Sequence, residues 1–564
     1  MLGRILVKLL AKVIAPSVRR KIRAFLEATH HPQEVQAALL KQILAHQADT
    51  DFGRDHGFRT ITSVADFRRQ VPHQPYEYVA PYIERVKRGE TRALLADPAV
   101  LMFALTSGTS AARKHIPITQ RYLEDYKRGW NIWGLKAMTD HKPVALKPMM
   151  QLGGDPEEYH TEAGIPCGNL SGFTMQVQKR IVRWLYSVPA VACKVKDSGS
   201  RYYVALRFSL MRKLGMMMAA NPSTLVGLAR VLDQQKEALI RDIHDGTLRA
   251  DLVLPAEVAA QLRASRRLKR DPGRARQLEE AVKRGGGVLL PKECWAPESL
   301  LLGCWTGGSV GPYLRQLPRY YGDAPVRDLG LLASEGRMTI PVDDATPAGV
   351  LDITTHYFEF IPPAEIDAAQ PTVLAAHELK EGGTYFILPT TKAGLYRYHI
   401  SDLVRVTGFC HKTPLVEFLG KGHRFANLTG EKLSEHQVTQ AMEAVARQVP
   451  QPVTAYSLAP CWDDVQPYYG VFLEEPDVTD SGVLRRFLEV FDRCLGEQNI
   501  EYQAKRASGR LGPLRVEVLP PGTWHQWDRD RLAHTGGSPE QYKHPCLIGD
   551  VDFRATMPVQ REIV

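Results

Sequence analysis

Hydrophobic and polar residues along this chain follow two different periods, which predict helices first and strands later. Apolar positions recur at helical spacing from Gln120 through Trp133, and again between Met175 and Ile243 in segments such as PSTLVGLARVLDQQKEALIRDI. Short segments rich in β-branched and aromatic residues, separated by Gly, Pro and Asp, follow and predict strands. These segments are GVLLP, SLLLGCWT, RDLGLLAS, GRMTIPV, GVLDITTHYFEFIP, GTYFILPTT and LVRVTGF. Long helices followed by many strands predict an α/β fold in which helices cover β-sheets.

The C-terminal quarter of the chain has a different pattern. The segment FLGKGHR, at residues 418–424, combines glycines with basic residues and predicts a hinge. Beyond it, the pattern predicts helix SEHQVTQAMEAVARQV, strands TAYSLAP and YYGVFLEE, helix SGVLRRFLEVFDRCLGEQ and strand LRVEVLP. A chain of 564 residues also exceeds the size of a single core. We therefore expect a large N-terminal α/β domain over residues 1–420 and a smaller, mobile C-terminal α+β domain over residues 421–564.

The N-terminal sequence MLGRILVKLLAKVIAPSVRRKIRAF predicts a basic amphipathic helix rather than a signal sequence. Arg4, Lys8 and Lys12 recur every four residues and form one charged stripe on an otherwise apolar helix. Docking of the apolar face on the protein itself is the favoured interpretation, and binding at a membrane surface is the alternative. No apolar run approaches the roughly 20 residues of a transmembrane helix, so no such segment is predicted.

Charge and cysteine content narrow the class of protein. The excess of 72 Lys and Arg over 62 Asp and Glu gives a net charge of +10, which suits anionic small ligands as well as nucleic acid. The most basic segment, residues 263–284, lacks the aromatic residues on which nucleic-acid bases stack, so we expect a solvated helix face and no nucleic-acid partner. Eight cysteines without a CxxC pair are typical of a reduced cytoplasmic protein. The oligomeric state does not follow from the sequence.

The segment LTSGTSAARKHIPIT, residues 105–119, is the strongest candidate for a ligand site. An apolar predicted strand leads into a hydroxyl-rich loop, and a lysine follows. The glycine lets the backbone approach a ligand, the hydroxyls donate hydrogen bonds, and the lysine attracts anionic oxygens. No GxxxxGK[ST] motif occurs in the chain, so this is not a Walker loop, and a hydroxyl-rich surface turn is the alternative. The candidate phosphate-binding residues are Thr106, Ser107, Gly108, Thr109, Ser110 and Lys114.

Two acidic motifs and two lysines could complete such a site. Ser334 and Glu335 of ASEGR end an apolar run, where a carboxylate that faces phosphates can bind Mg²⁺, unless it is merely a solvated turn residue. Asp402 begins a predicted strand and can accept hydrogen bonds from ribose hydroxyls, or it can pair with a neighbouring arginine, Arg397 or Arg405. The lysines, Lys432 of LTGEKLSE and Lys543 of QYKHP, lie on predicted loops from which a long cation can reach a site, although either could be a surface residue.

A competing motif keeps a different enzyme class open. Residues 307–311 read GGSVG and match the G-x-S-x-G nucleophile elbow, with Ser309 as the nucleophile between a predicted strand and a predicted helix. A serine hydrolase would also need an acid and a histidine, and the 18 histidines of the chain satisfy that order by chance.

Taken in order, the motifs resemble the auxin-responsive-promoter family (Gretchen Hagen three). Its members are acyl acid amido synthetases of the adenylate-forming, firefly luciferase-like superfamily. The resemblance runs roughly from Ala48 to Pro545, and the agreement of so many ordered elements makes chance a poor explanation. The matching elements are DTDFGRDHGF, VPHQPYEYVAPYIERVKRGE, TSGTS, ANPSTLVGLAR, CWTGG, SEG, YFEFIP, GLYRYHISDLVRVTGF, EKLSE, GTW and QYK.

The resemblance implies an ATP- and Mg²⁺-dependent ligase that activates a small carboxylic acid as an acyl adenylate and transfers the acyl group to an amine, most simply an amino acid. It implies that the loop and Lys114 bind the ATP phosphates, that Glu335 binds Mg²⁺ and Asp402 the ribose, and that Lys432 and Lys543 act from the mobile domain. Transfer to coenzyme A or to a carrier-protein thiol is the alternative within this chemistry. A hydrolase that uses Ser309, or a catalytically silent binding protein, are the alternatives outside it.

The chain departs from the family in three places. Leu331 occupies the position of an aromatic residue that can stack on adenine, so we expect Tyr357 or Phe358 to stack instead. Ser401 replaces the usual glycine before Asp402, and Ala111 and Ala112 follow the loop where glycines are common. The acyl pocket is expected between the helices after Gln120 and the CWTGG turn. Its candidate lining is Trp130, Trp133, Trp305, Gly307 and Gly308, although the tryptophans could equally be core residues.

Overall fold

A computed structural model of the chain describes residues 16, 19–106, 113–178, 180–308, 310–366, 368, 370–421, 425–426, 428, 431, 433–462, 467–478, 480–507, 511–535 and 542–564. The predicted charged stripe of Arg4, Lys8 and Lys12 lies outside these residues. Three sheets with covering helices occupy the first three quarters of the chain, and a further four-stranded sheet with its own helices follows. The predicted α/β fold class is thus confirmed, with a smaller α+β unit at the C-terminus.

Helices form most of the first half of the chain and recur in the C-terminal unit. Their starts follow ordinary capping chemistry: Thr119 caps one helix by accepting from the backbone N–H of Tyr122, and Asn221 caps another ahead of a proline. The helices are α1 (19–28), α2 (Pro32–Gln47), α3 (Asp51–Asp55), α4 (Val64–Gln70), α5 (Tyr76–Lys87), α6 (Gln120–Asp140), α7 (Leu170–Gln176), α8 (Arg180–Arg183), α9 (Ser198–Ser209), α10 (Pro222–Gln234), α11 (Lys236–Asp245), α12 (Ala256–Arg263), α13 (Pro272–Arg284), α14 (Pro291–Cys294), α15 (Gly311–Leu314), α16 (Leu317–Tyr321), α17 (Glu435–Gln448), α18 (Ser481–Gln498), α19 (Ile500–Ala507), α20 (Thr523–Thr535) and α21 (Phe553–Thr556).

The strands are β1 (Val100–Thr106), β2 (Lys114–Thr119), β3 (Met149–Gln151), β4 (Tyr159–His160), β5 (Pro166–Gly168), β6 (Met216–Met218), β7 (Leu301–Gly303), β8 (Val326–Arg327), β9 (Leu332–Ala333), β10 (Gly336–Arg337), β11 (Thr339–Ile340), β12 (Gly349–Leu351), β13 (Tyr357–Ile361), β14 (Leu374–Ala375), β15 (Thr384–Thr390), β16 (Asp402–Cys410), β17 (Thr413–Lys421), β18 (Phe425–Ala426), β19 (Leu433–Ser434), β20 (Ser457–Trp462), β21 (Pro467–Glu474), β22 (Arg515–Leu519) and β23 (Arg561–Ile563).

Three larger sheets and the two-stranded pair of β9 and β10 build the described residues of the large N-terminal part. One has the order β2-β1-β5-β4, a second the order β3-β6-β7-β8, and the third is a seven-stranded sheet with the order β11-β12-β17-β16-β15-β13-β14. The second sheet is parallel throughout, and its core is shared with α9, α10 and α11. Parallel sheets need such helical cover on their faces, which explains the long apolar helices that the sequence places between its strands.

Two predicted elements differ from the structure. The periodic segment PSTLVGLARVLDQQKEALIRDI is two helices, α10 and α11, because the backbone leaves helical geometry at Gln235 (φ −111°, ψ 16°). The segment GVLLP, predicted as a strand, is coil that leads into α14, and its Leu289 is buried among helices rather than in a sheet. A short apolar run does not by itself distinguish a strand from a buried connection.

The C-terminal unit has the order β20-β21-β22-β23 and is covered by α17 and α18, which pack on the inner face of the sheet. Its two predicted helices and three predicted strands are present within a few residues of the expected positions. Strand β17 continues to Lys421, so the first half of the predicted hinge segment belongs to the seven-stranded sheet. The domain boundary at residue 420 stays a prediction. None of the helices in the described part of the chain is long and apolar enough to cross a membrane.

Candidate active site

The two ends of the hydroxyl-rich loop lie side by side. Strands β1 and β2 are antiparallel, and Thr106 faces Lys114 in their last pair, so the loop closes a hairpin. Residues 107–112 lie outside the described part of the chain, and with them the candidates Ser107, Gly108, Thr109 and Ser110. The hairpin therefore fixes where the loop begins and ends, and it places Lys114 at the loop mouth.

Lys114 lies between two tyrosines. Its Nζ donates to the hydroxyl of Tyr398 at 3.2 Å, and it lies 5.5 Å and 5.7 Å from the ring centroids of Tyr76 and Tyr398. The Tyr76 hydroxyl accepts the backbone N–H of His115 at 2.9 Å, which fixes this ring against the start of β2. The two rings and the Tyr398 hydroxyl thus hold the ammonium group itself at the mouth of the loop.

Glu335 lies near the same tyrosine, Tyr398. It lies in the tight turn between β9 and β10 and is only 6% exposed, so the alternative of a solvated turn residue is wrong. Burial raises the pKa of Tyr398, and the nearby charge of Glu335 raises it further. Glycine is required directly after Glu335, because a Cβ at Gly336 would lie 2.5 Å from the His356 Nε2 atom. Within the described residues, no group of three or more metal-ligating side chains accompanies this carboxylate.

Asp402 is the first residue of β16 and is buried beside Tyr398, whose pKa it also raises. The alternative that Asp402 pairs with Arg397 or Arg405 is wrong. Arg397 Nε donates to Glu359 at 2.7 Å, and Arg405 Nε donates to Glu417 at 2.7 Å, so both guanidinium groups have other carboxylate partners. Tyr398 is thus the common neighbour of Lys114, Glu335 and Asp402, three charged residues that are far apart in the sequence. We call these three residues the charged cluster.

A cavity adjoins this charged cluster. It is a small cavity, with an interior volume of about 70 Å³ and an open mouth. The ends of β3, β6, β7 and β8 supply one wall, since residues directly after these parallel strands line it, and α6 and α7 supply the other. Ligands of α/β proteins bind at this carboxyl edge of a parallel sheet. The lining residues are Tyr126, Trp130, Gln151, Leu152, Leu170, Ser171, Thr174, Met218, Ala219, Ala220, Trp305, Leu329, Leu332, Ala333 and Ser334.

Ser334 connects the cavity with the charged cluster, because it lines the cavity and Glu335 follows it in the chain. The Ser334 carbonyl accepts a hydrogen bond from the Tyr122 hydroxyl at 2.7 Å, which anchors this turn to α6. A ligand in the cavity would therefore end beside Glu335. The expectation of a pocket between α6 and the CWTGG turn matches this cavity in position, and its role as an acyl site stays a prediction.

A buried arginine supports the aromatic wall. The Arg337 guanidinium lies 4.5 Å from the ring centroid of Trp130, and its Nη2 donates to the Leu329 carbonyl at 2.8 Å. Burial lowers the pKa of Arg337 to about 10. Helix α6 approaches this side chain closely at Gly129, where a Cβ would clash with the Arg337 Cδ atom.

Three aromatic assignments need correction. Trp133 does not line the cavity: it is 1% exposed, and its Nε1 donates to the Asp328 carbonyl at 2.7 Å within the core. Tyr357 and Phe358 lie on β13, both faces of which are covered, and their exposed fractions are 2% and 0%. Neither ring has a face open to a ligand, so stacking of Tyr357 or Phe358 on adenine is wrong for this structure.

The CWTGG turn brings the C-terminal unit to the cavity. Lys543 Nζ lies 4.4 Å from the ring centroid of Trp305 and 4.7 Å from that of Phe418. A Cβ at Gly308, which has a left-handed φ of +73°, would lie 3.8 Å from the same Nζ, and a Cβ at Gly307 would lie 2.9 Å from the Pro347 Cβ. The two glycines thus give the turn its close approach, and Lys543 lies at the rim of the cavity.

Asp328, which sequence reasoning missed, fixes the CWTGG turn by hydrogen bonds. Its carboxylate accepts the Thr306 backbone N–H at 2.5 Å, the Thr306 hydroxyl at 2.8 Å and the Gly330 N–H at 2.5 Å. Burial raises the pKa of Asp328, whereas these donors and the charge of Lys543 act against that rise. The available signal was an acidic residue at the start of the otherwise apolar predicted strand RDLGLLAS. The candidates Lys432 and Ser309 lie outside the described residues.

Known proteins with the same domains identify the family. Residues 21–326 match the model of the GH3 family N-terminal domain, residues 349–421 that of the GH3 family central domain, and residues 436–552 that of the GH3 family C-terminal domain. A jasmonoyl–L-amino acid synthetase of Nicotiana attenuata is 23% identical over 96% of this chain and 96% of its own length. A 4-substituted benzoates-glutamate ligase of Arabidopsis thaliana is 25% identical over 93% of this chain and 94% of its own length.

Solved structures agree with this assignment at the level of the fold. The GH3.15 acyl acid amido synthetase in complex with 2,4-DB superimposes with a TM-score of 0.82 at 19% identity, over 97% of both chains. A 2-hydroxyisobutyryl-CoA ligase in the postadenylation state matches with a TM-score of 0.51 at 12% identity, over 96% of this chain and 91% of its own. From the three domain matches and the shared fold, we conclude that the chain belongs to the GH3 family.

Proposed function

We propose that the protein is an ATP-dependent ligase that converts a small carboxylic acid into an acyl adenylate and transfers the acyl group to an amine, forming an amide. The relatives that align along nearly the whole chain carry names of acid-amino acid synthetases and ligases, which supports an amino acid as the amine. The observation that carries the proposal is that Lys114, Glu335 and Asp402 share the neighbour Tyr398 beside a cavity, while Lys543 contacts Trp305 in the cavity wall.

The chemistry explains why a cavity and a charged cluster must adjoin. A carboxylate attacks the α-phosphorus of ATP, pyrophosphate leaves, and the mixed anhydride then acylates an amine while AMP leaves. Negative charge moves onto the phosphate oxygens during the first step, and preorganised donors stabilise it. The acid would occupy the apolar cavity with its carboxylate near Ser334. The phosphates would then lie between Lys114 and the loop that begins at Thr106.

Three side chains have distinct proposed roles. Lys114 provides a positive charge for the phosphates, held between two rings that limit its motion. Asp402, a buried carboxylate at a strand end, accepts hydrogen bonds from the ribose hydroxyls. Lys543 approaches from the C-terminal unit over Trp305, where it can neutralise charge as the acid and the α-phosphate meet.

Glu335 fits a Mg²⁺ ion in kind and in number of ligands. Magnesium prefers oxygen ligands and is usually held by one or two carboxylates together with substrate phosphates, rather than by a cage of protein side chains. One buried carboxylate beside the phosphate position meets that need. When bound, the ion would offset phosphate charge, while Glu335 itself would orient it.

The eight cysteines are all free thiols, which supports a reducing compartment, and we propose the cytoplasm.

The cavity walls suggest the class of acid. Tyr126, Trp130 and Trp305 are aromatic and most other lining residues are aliphatic, so a small acid with an apolar or aromatic body fits best. The same adenylate could pass to a thiol of coenzyme A or a carrier protein, and product analysis separates that outcome from amide formation.

Carboxylate-dependent exchange of labelled pyrophosphate into ATP tests the first step. We expect exchange with one or more members of a panel of small aromatic and aliphatic acids, followed by an amide product when amino acids are added. A panel that supports no exchange, combined with fluorophosphonate labelling of Ser309, would replace the ligase with a hydrolase.

A single substitution tests the phosphate site. Lys114→Ala should weaken ATP binding about tenfold or more, since a hydrogen bond to a charged group contributes about 1.5–3 kcal/mol. Isothermal titration of ATP measures this affinity. Lys412→Ala, which removes an exposed lysine from the turn between β16 and β17, is the matched control and should leave the affinity unchanged. Equal affinities of Lys114→Ala and the parent would remove Lys114 from the site.

A further inference from the structure

Both chain neighbours of Lys543 bind the same carboxylate. The Tyr542 hydroxyl donates to the Asp528 Oδ1 atom at 2.8 Å, and the His544 Nδ1 lies 2.8 Å from that oxygen. Because a carboxylate oxygen only accepts, the His544 Nδ1 is the donor of this bond. Asp528 lies on α20, so the helix holds the chain immediately before and immediately after the lysine.

A second set of contacts fixes His544 from the opposite side. Its Nε2 lies 3.1 Å from the Ser457 Oγ atom, and the Ser457 hydroxyl donates to the Pro545 carbonyl at 2.8 Å. The imidazole ring also packs against Trp524 and Trp527, with centroid distances of 4.6 Å and 5.7 Å. His544 is therefore buried and held by β20 and α20 together.

The chain of Ser457, His544 and Asp528 has the connectivity of a hydrolase triad but cannot act as one. Ser457 is 0% exposed, so no substrate reaches its hydroxyl. That hydroxyl also donates to a backbone carbonyl instead of to the imidazole. The arrangement therefore serves to hold the segment that carries Lys543.

Lys543 itself faces the other way. Its neighbours contact the body of the C-terminal unit, whereas its own Nζ reaches Trp305 and Phe418 of the large N-terminal part. The backbone of this segment is also held across the two parts, because the Asn221 Nδ2 donates to the Tyr542 carbonyl. A flexible four-carbon side chain thus starts from a backbone segment that is fixed at both ends.

We propose that Asp528 is the positioning residue for Lys543, assisted by His544 and Ser457. The proposal rests on the proposed function, in which Lys543 acts in adenylation. Asp528 binds the residues on both sides of the lysine, so its loss releases the whole segment at once. A displacement of about 1 Å of a catalytic group can lower a rate about 100-fold.

Kinetics of pyrophosphate exchange test the proposal. Asp528→Ala should lower the exchange rate constant about 10- to 100-fold with unchanged ATP affinity, because it touches none of Thr106, Lys114 or Asp402. The double variant Asp528→Ala/Lys543→Ala should be no slower than Lys543→Ala alone, since Asp528 acts only through the lysine. Asp528→Asn, which keeps an acceptor oxygen, should recover part of the rate. Asp530→Asn, an exposed position on the same helix, is the matched control.

Losses that multiply in the double variant, or equal rates for Asp528→Ala and Asp530→Asn, would overturn the proposal. A second measurement does not depend on activity or on ATP. The tryptophan emission of each variant, minus that of its Trp305→Phe counterpart, isolates the signal of the ring beneath Lys543. Asp528→Ala should give the signal of Lys543→Ala, and a parental signal would count against the role of Asp528. Absence of exchange in the parent protein would overturn the proposed function, while the emission test still decides whether Asp528 positions Lys543.

Discussion

At the scale of single residues, the backbone before Asp402 is strained. Ser401 has a φ of +64° and Arg397 a φ of +47°, in the left-handed region that side chains with a Cβ rarely adopt. The usual glycine of the family at position 401 adopts this conformation without steric conflict. In this chain the Ser401 Oγ lies 3.2 Å from the His399 Nδ1, which holds the turn. The strain lies directly beside the carboxylate that we propose for ribose binding.

Ser401→Gly should raise the free energy of unfolding by up to about 1.6 kcal/mol. Relief of a left-handed conformation contributes about 1–2 kcal/mol, and the larger entropy of an unfolded glycine offsets about 0.4–1 kcal/mol of it. Urea denaturation measures the difference. Ser401→Ala keeps the strain and loses the hydroxyl, so it should not be more stable than the parent. A glycine variant that unfolds at lower urea than the parent would contradict this account.

At the scale of secondary structure elements, one buried carboxylate joins three of them. Glu359 on β13 accepts Arg68 Nε of α4 at 2.8 Å and Arg397 Nε of the turn before β16 at 2.7 Å, and its side chain is 0% exposed. Arg397 also donates to the Val71 carbonyl at 2.7 Å, just after α4. The network fixes the turn that carries Tyr398, and thereby the position of the charged cluster.

Glu359→Ala should lower the free energy of unfolding by about 3–5 kcal/mol, since it leaves the buried guanidinium group of Arg397 and the half-buried one of Arg68 without their carboxylate. Chemical denaturation monitored by circular dichroism gives the value. Glu381→Ala, an exposed glutamate in the turn before β15, should change stability by no more than about 0.5 kcal/mol. A small loss at Glu359 would mean that the sheet and α4 hold the turn without this network.

At the scale of the whole molecule, one buried and two half-buried histidines make stability depend on pH. Burial lowers the pKa of His356 to about 3, and the charges of Lys392 and Arg128 act in the same direction. Burial likewise lowers the pKa of His115 and of His436 to about 4. In the unfolded chain these histidines have a pKa of about 6.5, so below this pH the unfolded chain binds protons that the folded chain does not. Their contribution to the free energy of unfolding is therefore complete above about pH 6.5 and is lost on acidification.

We therefore expect the free energy of unfolding to fall between about pH 6.5 and pH 3, with His356 alone contributing about 1.4 kcal/mol per pH unit. Urea denaturation at a series of pH values measures the slope. His356→Gln should lower stability at neutral pH and reduce the slope below pH 6.5. An unchanged slope in this variant would show that other groups dominate the acid response.

The sequence predicted the fold class, the charged cluster and the position of the cavity, but not which aromatic side chains face a ligand. Trp130 and Trp133 are three residues apart on α6, and only packing against the core decides that the first lines the cavity and the second does not. Tyr357 and Phe358 point to opposite sides of β13, but the sheet is covered on both sides. The contacts of Asp528 with Tyr542 and His544 depend on a tertiary approach that no local pattern records.

Asn221, in the large N-terminal part, caps α10 with one side-chain atom and contacts the segment that carries Lys543 with another. The Asn221 Oδ1 accepts the Ser223 N–H at 2.9 Å, and its Nδ2 holds the Tyr542 carbonyl. Because the two atoms are separate, the C-terminal unit can undock without any change at the helix start. Asn221→Asp is nearly isosteric, caps as well as asparagine, and presents an oxygen where the donor was. This variant should keep the parental melting temperature. Small-angle scattering should show that its resting shape is more open than that of the parent. Docking of the C-terminal unit could then be changed without changing the stability of the fold.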